Sequence, residues 1–228
     1  QHMMADVAHE LRTPLAAIQG TLEGIQDGIL PMDQEQMDAL VAETSLLNRL
    51  VGDLRLLSLA EAGALKLEFQ EVDVNALVRQ VVDRAAPLAA QKGITIQYDL
   101  PEQSLLARMD SDRMTMVLNN LIANALRYSP SGGTVMIRLT VLTANHEMEI
   151  SVEDSGTGIE PDSLPFVFDR FYRVERSRNR ASGGSGLGLA IVKQLVEAHG
   201  GNVKAESPIF TNEHQQGYGT RIRLTLPV

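Results

Sequence analysis

Apolar or small residues recur at Met4, Ala8, Leu11, Leu15, Ile18, Leu22, Ile25 and Ile29, at gaps that alternate between 4 and 3. A stripe of that period stays on one side of the chain only if the chain is an α-helix packed along a bundle or coiled-coil seam. The first helix is therefore expected from the start to about Gln26, and Asp27-Gly28, Pro31 and Asp33 then supply a turn. A second stripe follows at Met37, Leu40, Thr44, Leu47, Val51, Leu54 and Ser58, widened by Leu46, Leu50 and Leu57. Two such helices make a hairpin whose apolar face is too wide for the hairpin to cover by itself. Pairing with a second copy into a four-helix bundle is the economical solution. Cover by another domain is the alternative.

His9 lies just off the first seam, where a ring nitrogen can face solvent while the helix holds its flanks fixed. Glu10, its neighbour, is suited to hold one ring nitrogen in a given tautomer and to accept its proton. Thr13 follows His9 by one helical turn and stands on the same face. Pro14, inside the helix, removes the hydrogen bond to the Glu10 carbonyl and predicts a bend. The plain reading of the same residues is a surface histidine and an ordinary kink.

Around Glu61-Ala62-Gly63 the helical period ends, and Leu65-Lys66-Leu67-Glu68-Phe69 alternates apolar with polar as a strand does. A domain boundary is placed here, giving residues 1–65 and 66–228. Beyond it, helices are expected at about 74–92, 111–128 and 186–199. Strands are expected near 94–100, 105–109, 134–143, 147–152, 202–205 and 220–226. The fold class is α+β: a helical hairpin followed by a two-layer α/β sandwich.

The residues are 44% hydrophobic, enough to bury a core in each domain. No apolar run approaches the roughly 18 residues that a membrane-spanning helix needs. The opening Gln1-His2-Met3 reads as a cloning remnant, which predicts a fragment of a longer protein. A net charge of -9 argues against a nucleic-acid partner, because phosphate contacts need a basic face. Arg173, Arg176, Arg178 and Arg180 do cluster, and a basic loop in an acidic chain points to a small anionic ligand. The absence of cysteine excludes disulfides and thiolate chemistry.

Three segments of the second domain carry chemistry. On the helix 111–128, Asn120, Asn124 and Arg127 share a face away from Val117, Leu118, Leu121, Ile122 and Ala125. Asparagine is a poor helix-interior residue, and a neutral amide oxygen can complete the shell of a hard cation already held by phosphates. A wet polar face is the simpler account. Asp154-Ser155-Gly156-Thr157-Gly158 then offers a carboxylate acceptor beside a turn that can approach a flat ligand closely, although such turns are common. Gly183-Gly184-Ser185-Gly186-Leu187-Gly188 runs into a helix start, where backbone N–H groups and the helix dipole favour phosphate. It fits neither a P-loop nor a dinucleotide fingerprint, and a merely capped helix fits as well. Between them lies Phe166 to Tyr172, rich in aromatics in a chain with only 4% of them. That segment also reads as a hydrophobic anchor under a loop.

In combination these segments resemble a known family. His9-Glu10-Leu11-Arg12-Thr13-Pro14-Leu15 is similar to the phosphoacceptor H box of bacterial sensor histidine kinases. Asn120-x-x-x-Asn124, Asp154-x-Gly156-x-Gly158, Phe166 to Tyr172 and Gly184-x-Gly186-x-Gly188 resemble the N, G1, F and G2 boxes of their ATP-binding domain, in family order. The stretch 173–190 is most similar to the BaeS-like envelope-stress sensor kinases.

The resemblance implies an ATP-binding fold of the gyrase, Hsp90, histidine kinase and MutL type behind a dimerisation and phosphotransfer hairpin. It assigns His9 as phosphoacceptor, Glu10 as general base and Thr13 to a water used in dephosphorylating the regulator. Asp154 would hold the adenine amine, Asn124 would ligate Mg2+, and Asn120 would support it. Arg127 and Tyr128 would face the phosphates or nucleoside. Gly156 and Gly158 would form the base-side turn, and Gly184, Gly186, Leu187 and Gly188 the lid over the phosphates. Arg173 is a candidate for the γ-phosphate. ATP and Mg2+ are the implied cofactors. A homodimer and the receiver domain of a response regulator are the implied partners, with no direct contact to nucleic acid or membrane in this fragment. The implied location is a cytoplasmic fragment of a membrane-anchored parent in the inner membrane. An ATP hydrolase or chaperone of the same nucleotide fold, or a nucleotide-binding scaffold without transfer, are the rival readings.

Overall fold

The computed structural model describes residues 2–142, 146–173, 185–211 and 217–228, in two compact units, Gln1–Glu61 and Ala62–Val228. In the first unit α1 (His2–Gln26) continues through Pro14 and is followed by α2 (Gln34–Glu61), against which it packs. The turn between them is closed locally. Ile29 and Leu30 both donate from N–H to the Gly24 carbonyl at 2.9 Å, Gly28 adopts φ +72, and Asp33 Oδ1 accepts from the Gln36 N–H at 3.0 Å to cap α2.

The heptad stripe of α1 splits into two rows. Leu11, Ile18 and Ile25 are half-buried, whereas Leu15, Leu22 and Ile29 stay exposed, at 54%, 52% and 77%. On α2 Met37, Val41, Leu46 and Val51 are exposed as well. One row is spent within the hairpin, and the other is left over.

The second unit opens on an extended segment. The strand expected at Leu65–Phe69 is not there: these residues lie outside the sheets, and β1 begins at Gln70 (Gln70–Asp73). The alternation was real, because Leu65 and Leu67 are half-buried and Lys66 and Glu68 exposed. Its backbone partner is a side chain: the Glu68 N–H donates to Asp110 Oδ2 at 2.9 Å. Asp110 also caps α4 (Ser111–Tyr128) through the Arg113 N–H, and its own N–H donates to His199 Nε2 at 3.1 Å. The donors from Glu68 and Arg113 hold the Asp110 carboxyl below its ordinary range, against burial that works to raise it.

β1 pairs antiparallel with β3 (Leu106–Met109), and α3 (Val74–Gln91) lies between β1 and β2 (Thr95–Asp99) in sequence. The main sheet has the order β2-β4-β5-β9-β6, with β4 at Thr134–Leu142, β5 at Glu147–Asp154, β6 at Asn202–Glu206 and β9 at Thr220–Pro227. Only β2 and β4 are parallel. Helices α3, α4 and α5 (Gly188–Ala198) cover one face, with α4 between the other two. Val135, Ile137, Met148, Ile150, Val152, Ile222, Leu224 and Leu226 point into that layer and are buried, which is the main core.

The other face of the sheet is a ladder of charge. Arg138 and Arg221 both bond the buried Glu153, Arg221 and Arg223 both reach Glu206, and Arg223 lies 3.4 Å from Glu149. A short hairpin, β7 (Phe210–Thr211) with β8 (Gly217–Tyr218), was not expected from sequence, since two-residue strands have no alternation to read. The helix expected from Gly186 begins at Gly188, because Gly186 sits at φ +71, outside the helical region. No helix of the described residues is long and apolar enough to cross a membrane.

Candidate functional site

The inner face of β5 ends at Asp154, which pairs in register with Thr220 of β9. Above this pair α4 presents Leu121, Asn124, Ala125 and Tyr128. Together with Val152, Val167, Leu189 and Ile222 they line a largely apolar cavity of about 290 Å³, which Asp154, Thr157, Glu160, Arg173 and Thr220 also border. A smaller cavity of about 70 Å³ shares the walls at Asn124, Tyr128, Tyr172, Arg173 and Leu189, and adds Arg127, Gly186 and Gly188. The larger cavity thus sets the Asp154 and Glu160 carboxyls among mainly apolar walls, and the smaller one, which shares Arg173 and adds Arg127, is the more cationic. A flat, weakly polar group with an N–H donor and an anionic tail fits that division.

Glycines set how closely the walls approach. A Cβ on Gly156 would lie 2.7 Å from both Asp154 Oδ1 and the Tyr128 carbonyl, so this residue lies beneath the turn, and its N–H donates to Asp154 Oδ1 at 2.8 Å. Gly158, at φ +77, lines the larger cavity. Gly186 lies against the backbone of Phe171, which donates its N–H to the Gly186 carbonyl at 3.0 Å and itself has φ +60. A non-glycine residue in that region is held there by its surroundings, here the junction of the aromatic and glycine-rich segments.

Burial pushes the Asp154 carboxyl up to about 6, against the backbone N–H groups of Gly156 and Thr220 that work to lower it. Asn124 lines both cavities, and among the described residues no hydrogen bond engages its amide. Asn120 lines neither: its amide donates to the Met116 carbonyl at 2.9 Å, and its Oδ1 would lie 2.8 Å from a Cβ on Gly188. Asn120 thus lies close against the start of α5. The Leu187 side chain is fully buried and lines neither cavity. Among the described residues no side chain caps the first turn of α5, which starts at Gly188 on the wall of the smaller cavity. Gly184, Arg176, Arg178 and Arg180 lie outside the described residues.

On α1 His9 is exposed and Glu10 half-buried. The Thr13 hydroxyl donates to the His9 carbonyl at 3.3 Å, one turn back, which leaves its lone pairs open. Thr220, Ile159 and Val167 are site residues that sequence reasoning missed. Thr220 was within reach, since it follows Gly219 at a strand start, whereas the apolar walls carry no local signal.

Two family models match the chain. Residues 1–63 match the His Kinase A (phospho-acceptor) domain, and residues 109–228 match the histidine kinase-, DNA gyrase B-, and HSP90-like ATPase. The chain belongs to the histidine kinases. This histidine kinase is 41% identical over 225 residues to the signal transduction histidine-protein kinase BaeS of Escherichia coli (strain K12), a match that spans 99% of this chain and 46% of BaeS. It is similar to the Acinetobacter baumannii histidine kinase AdeS at 30% identity and a TM-score of 0.79, covering 96% of this chain and 97% of that one. Full-length ShkA, solved in complex with AMPPNP, is similar at 28% identity and a TM-score of 0.68, over 99% of this chain and 45% of ShkA. The chain spans less than half the length of the curated relatives it matches first. The helical hairpin with an α/β ATPase-type sandwich is the fold class that the sequence led us to expect, and the BaeS-like likeness holds.

Proposed function

We propose that this histidine kinase moves the γ-phosphoryl group of ATP onto His9 and from there to an aspartate in the receiver domain of a response regulator. The reading rests above all on one observation: a solvent-exposed histidine followed by Glu10 and Thr13 in a chain whose second unit holds a largely apolar cavity bordered by the Asp154 carboxyl and adjoined by a smaller one lined by Arg127 and Arg173. In transfer, a ring nitrogen of His9 attacks phosphorus, the bond to the bridging oxygen of ADP breaks, and Glu10 takes the imidazole proton. Such a step depends mainly on alignment and on charge stabilisation. Asp154 would accept from the adenine amine, with the base between α4 and the 154–160 turn. Arg127, Tyr128, Arg173 and the backbone at Gly186 and Gly188 would face the phosphates, joined by Gly184.

Among the described residues there is no group of three or more His, Cys, Asp or Glu that could hold a metal ion alone. That fits magnesium bound chiefly by phosphates and completed by the Asn124 amide oxygen, where it would neutralise charge that develops on the phosphoryl group. Thr13 is read as orienting a water for dephosphorylation of the regulator. Residues 1–65 would serve dimerisation and phosphotransfer and residues 66–228 nucleotide binding, with a membrane-anchored, cytoplasm-facing parent.

The test is incorporation of label from [γ-³²P]ATP. The parent should acquire an acid-labile, alkali-stable phosphoramidate, and His9→Gln should bind ADP as the parent does yet take up no label. Persistent labelling of His9→Gln would place the phosphoacceptor elsewhere. Hydrolysis of ATP without any covalent label would favour the ATPase reading.

A further inference from the structure

We infer that Ser207 is a positioning residue for nucleotide binding: its hydroxyl locks the far wall of the base slot, the turn 157–160, to the β8–β9 junction. The inference rests on the ATP-site reading given above and adds to it a residue outside every motif of the sequence.

The turn that follows Asp154 is tied down at both ends. On the near side the Ser155 hydroxyl accepts from the Thr134 N–H at 2.8 Å, and the Ser155 N–H donates to the Thr134 carbonyl at 3.1 Å. Gly156 is held through its carbonyl, which accepts from the Gly219 N–H at 2.8 Å. On the far side the Ile159 N–H donates to Ser207 Oγ at 2.7 Å. The Ser207 hydroxyl in turn donates to the Gly219 carbonyl at 2.8 Å. One hydroxyl therefore accepts from one loop and donates to another, which uses its proton and one lone pair.

Packing enforces the same contact. A Cβ on Gly158 would lie 2.9 Å from Ser207 Oγ and 3.5 Å from the Gly219 carbonyl, so the turn passes as close to the hydroxyl as a glycine allows. Gly158 and Ile159 line the cavity, as does Thr220, which follows Gly219, whereas Ser207 does not. Its action on a ligand is thus carried by the backbone of Ile159 on one side and of Gly219 and Thr220 on the other. Thr220 also donates its N–H toward the Asp154 carboxyl. Without the hydroxyl, the Ile159 N–H and the Gly219 carbonyl are left partly buried and unpaired, and the slot must be reordered by each ligand that enters.

The experiment compares the parent, Ser207→Ala and Ser207→Thr, which restores the hydroxyl. ADP affinity is measured by calorimetry with magnesium, autophosphorylation gives KM for ATP and kcat, and thermal unfolding is followed without nucleotide. Ser207→Ala is expected to weaken ADP and raise KM by about tenfold. Its kcat should stay within about twofold, and Ser207→Thr should recover most of the loss. Parental affinity in a folded Ser207→Ala protein would overturn the inference alone. So would a lower fraction of binding-competent protein with an unchanged Kd, since that marks a purely structural role. A parent that fails to bind ADP would instead overturn the reading of the site, and this inference with it.

Discussion

In the proposed site the Asp154 carboxyl accepts a hydrogen bond in surroundings that favour its protonated form. The D-x-G-x-G spacing made the residue legible in the sequence, but its shift was not, because the walls that desolvate it come from α4, β5 and β9 together. With its titration near 6, ADP affinity is expected to be flat above neutrality and to fall as the pH drops through that value. Calorimetry from pH 5 to pH 8 reads this directly. Asp154→Asn loses a charge-assisted hydrogen bond, so affinity at neutral pH should fall roughly ten- to a hundredfold, on the order of 1.5 to 3 kcal/mol. The same variant should lose most of the pH dependence. A parental pH profile in Asp154→Asn would assign the titration to another group.

Elements differ in how openly the sequence announces them. Helix α4 lies where it was expected, Ser111–Tyr128, because Asp110 caps one end and Ser129-Pro130 ends the other. The segment 65–69 misled for a physical reason: alternation reports which side faces the core, not whether a neighbouring strand exists, and here Asp110 takes the place of one. On α1 His9, Glu10 and Thr13 share one and a half turns, and the roles proposed for them can be separated. Thr13 has a hydroxyl that can position water and is assigned no part in removing the His9 proton, which is the step proposed for Glu10. Thr13→Ala should leave autophosphorylation within a fewfold of the parent and slow dephosphorylation of the regulator. Glu10→Ala should instead depress the kinase step. Because the Thr13 hydroxyl also bonds the His9 carbonyl, helicity must be checked by circular dichroism in each variant. Equal loss of both activities in a helical Thr13→Ala protein would make Thr13 part of the support of His9.

For the whole molecule, the row Leu15, Leu22 and Ile29 leaves an apolar stripe along α1 that a second copy of the hairpin would cover. Leu22→Glu should raise the dimer dissociation constant by at least about tenfold in sedimentation, since a charge must be buried or the bundle opened. ADP binding should be unaffected. That stripe was plain in the sequence, as were the motifs. What it concealed was the split of the stripe into two rows, and the contacts that Asn120 and Ser207 make from outside the two cavities. The two carboxylates that end β5 lie on opposite faces of the sheet and titrate in opposite senses. Glu153 is held below its ordinary 4.5: burial works to raise it and is outweighed by Arg138 and Arg221, so its contribution to folding is present above that value and is lost on acidification. Asp154 is raised from 3.8 to about 6, so its folded form gains a proton first and the unliganded protein becomes less stable as the pH rises through that window. The nucleotide-free protein should therefore melt highest on the acid side, below about pH 6, and saturating ADP should move the maximum toward neutrality. In Asp154→Asn the acid-side maximum should disappear from thermal melts recorded without nucleotide.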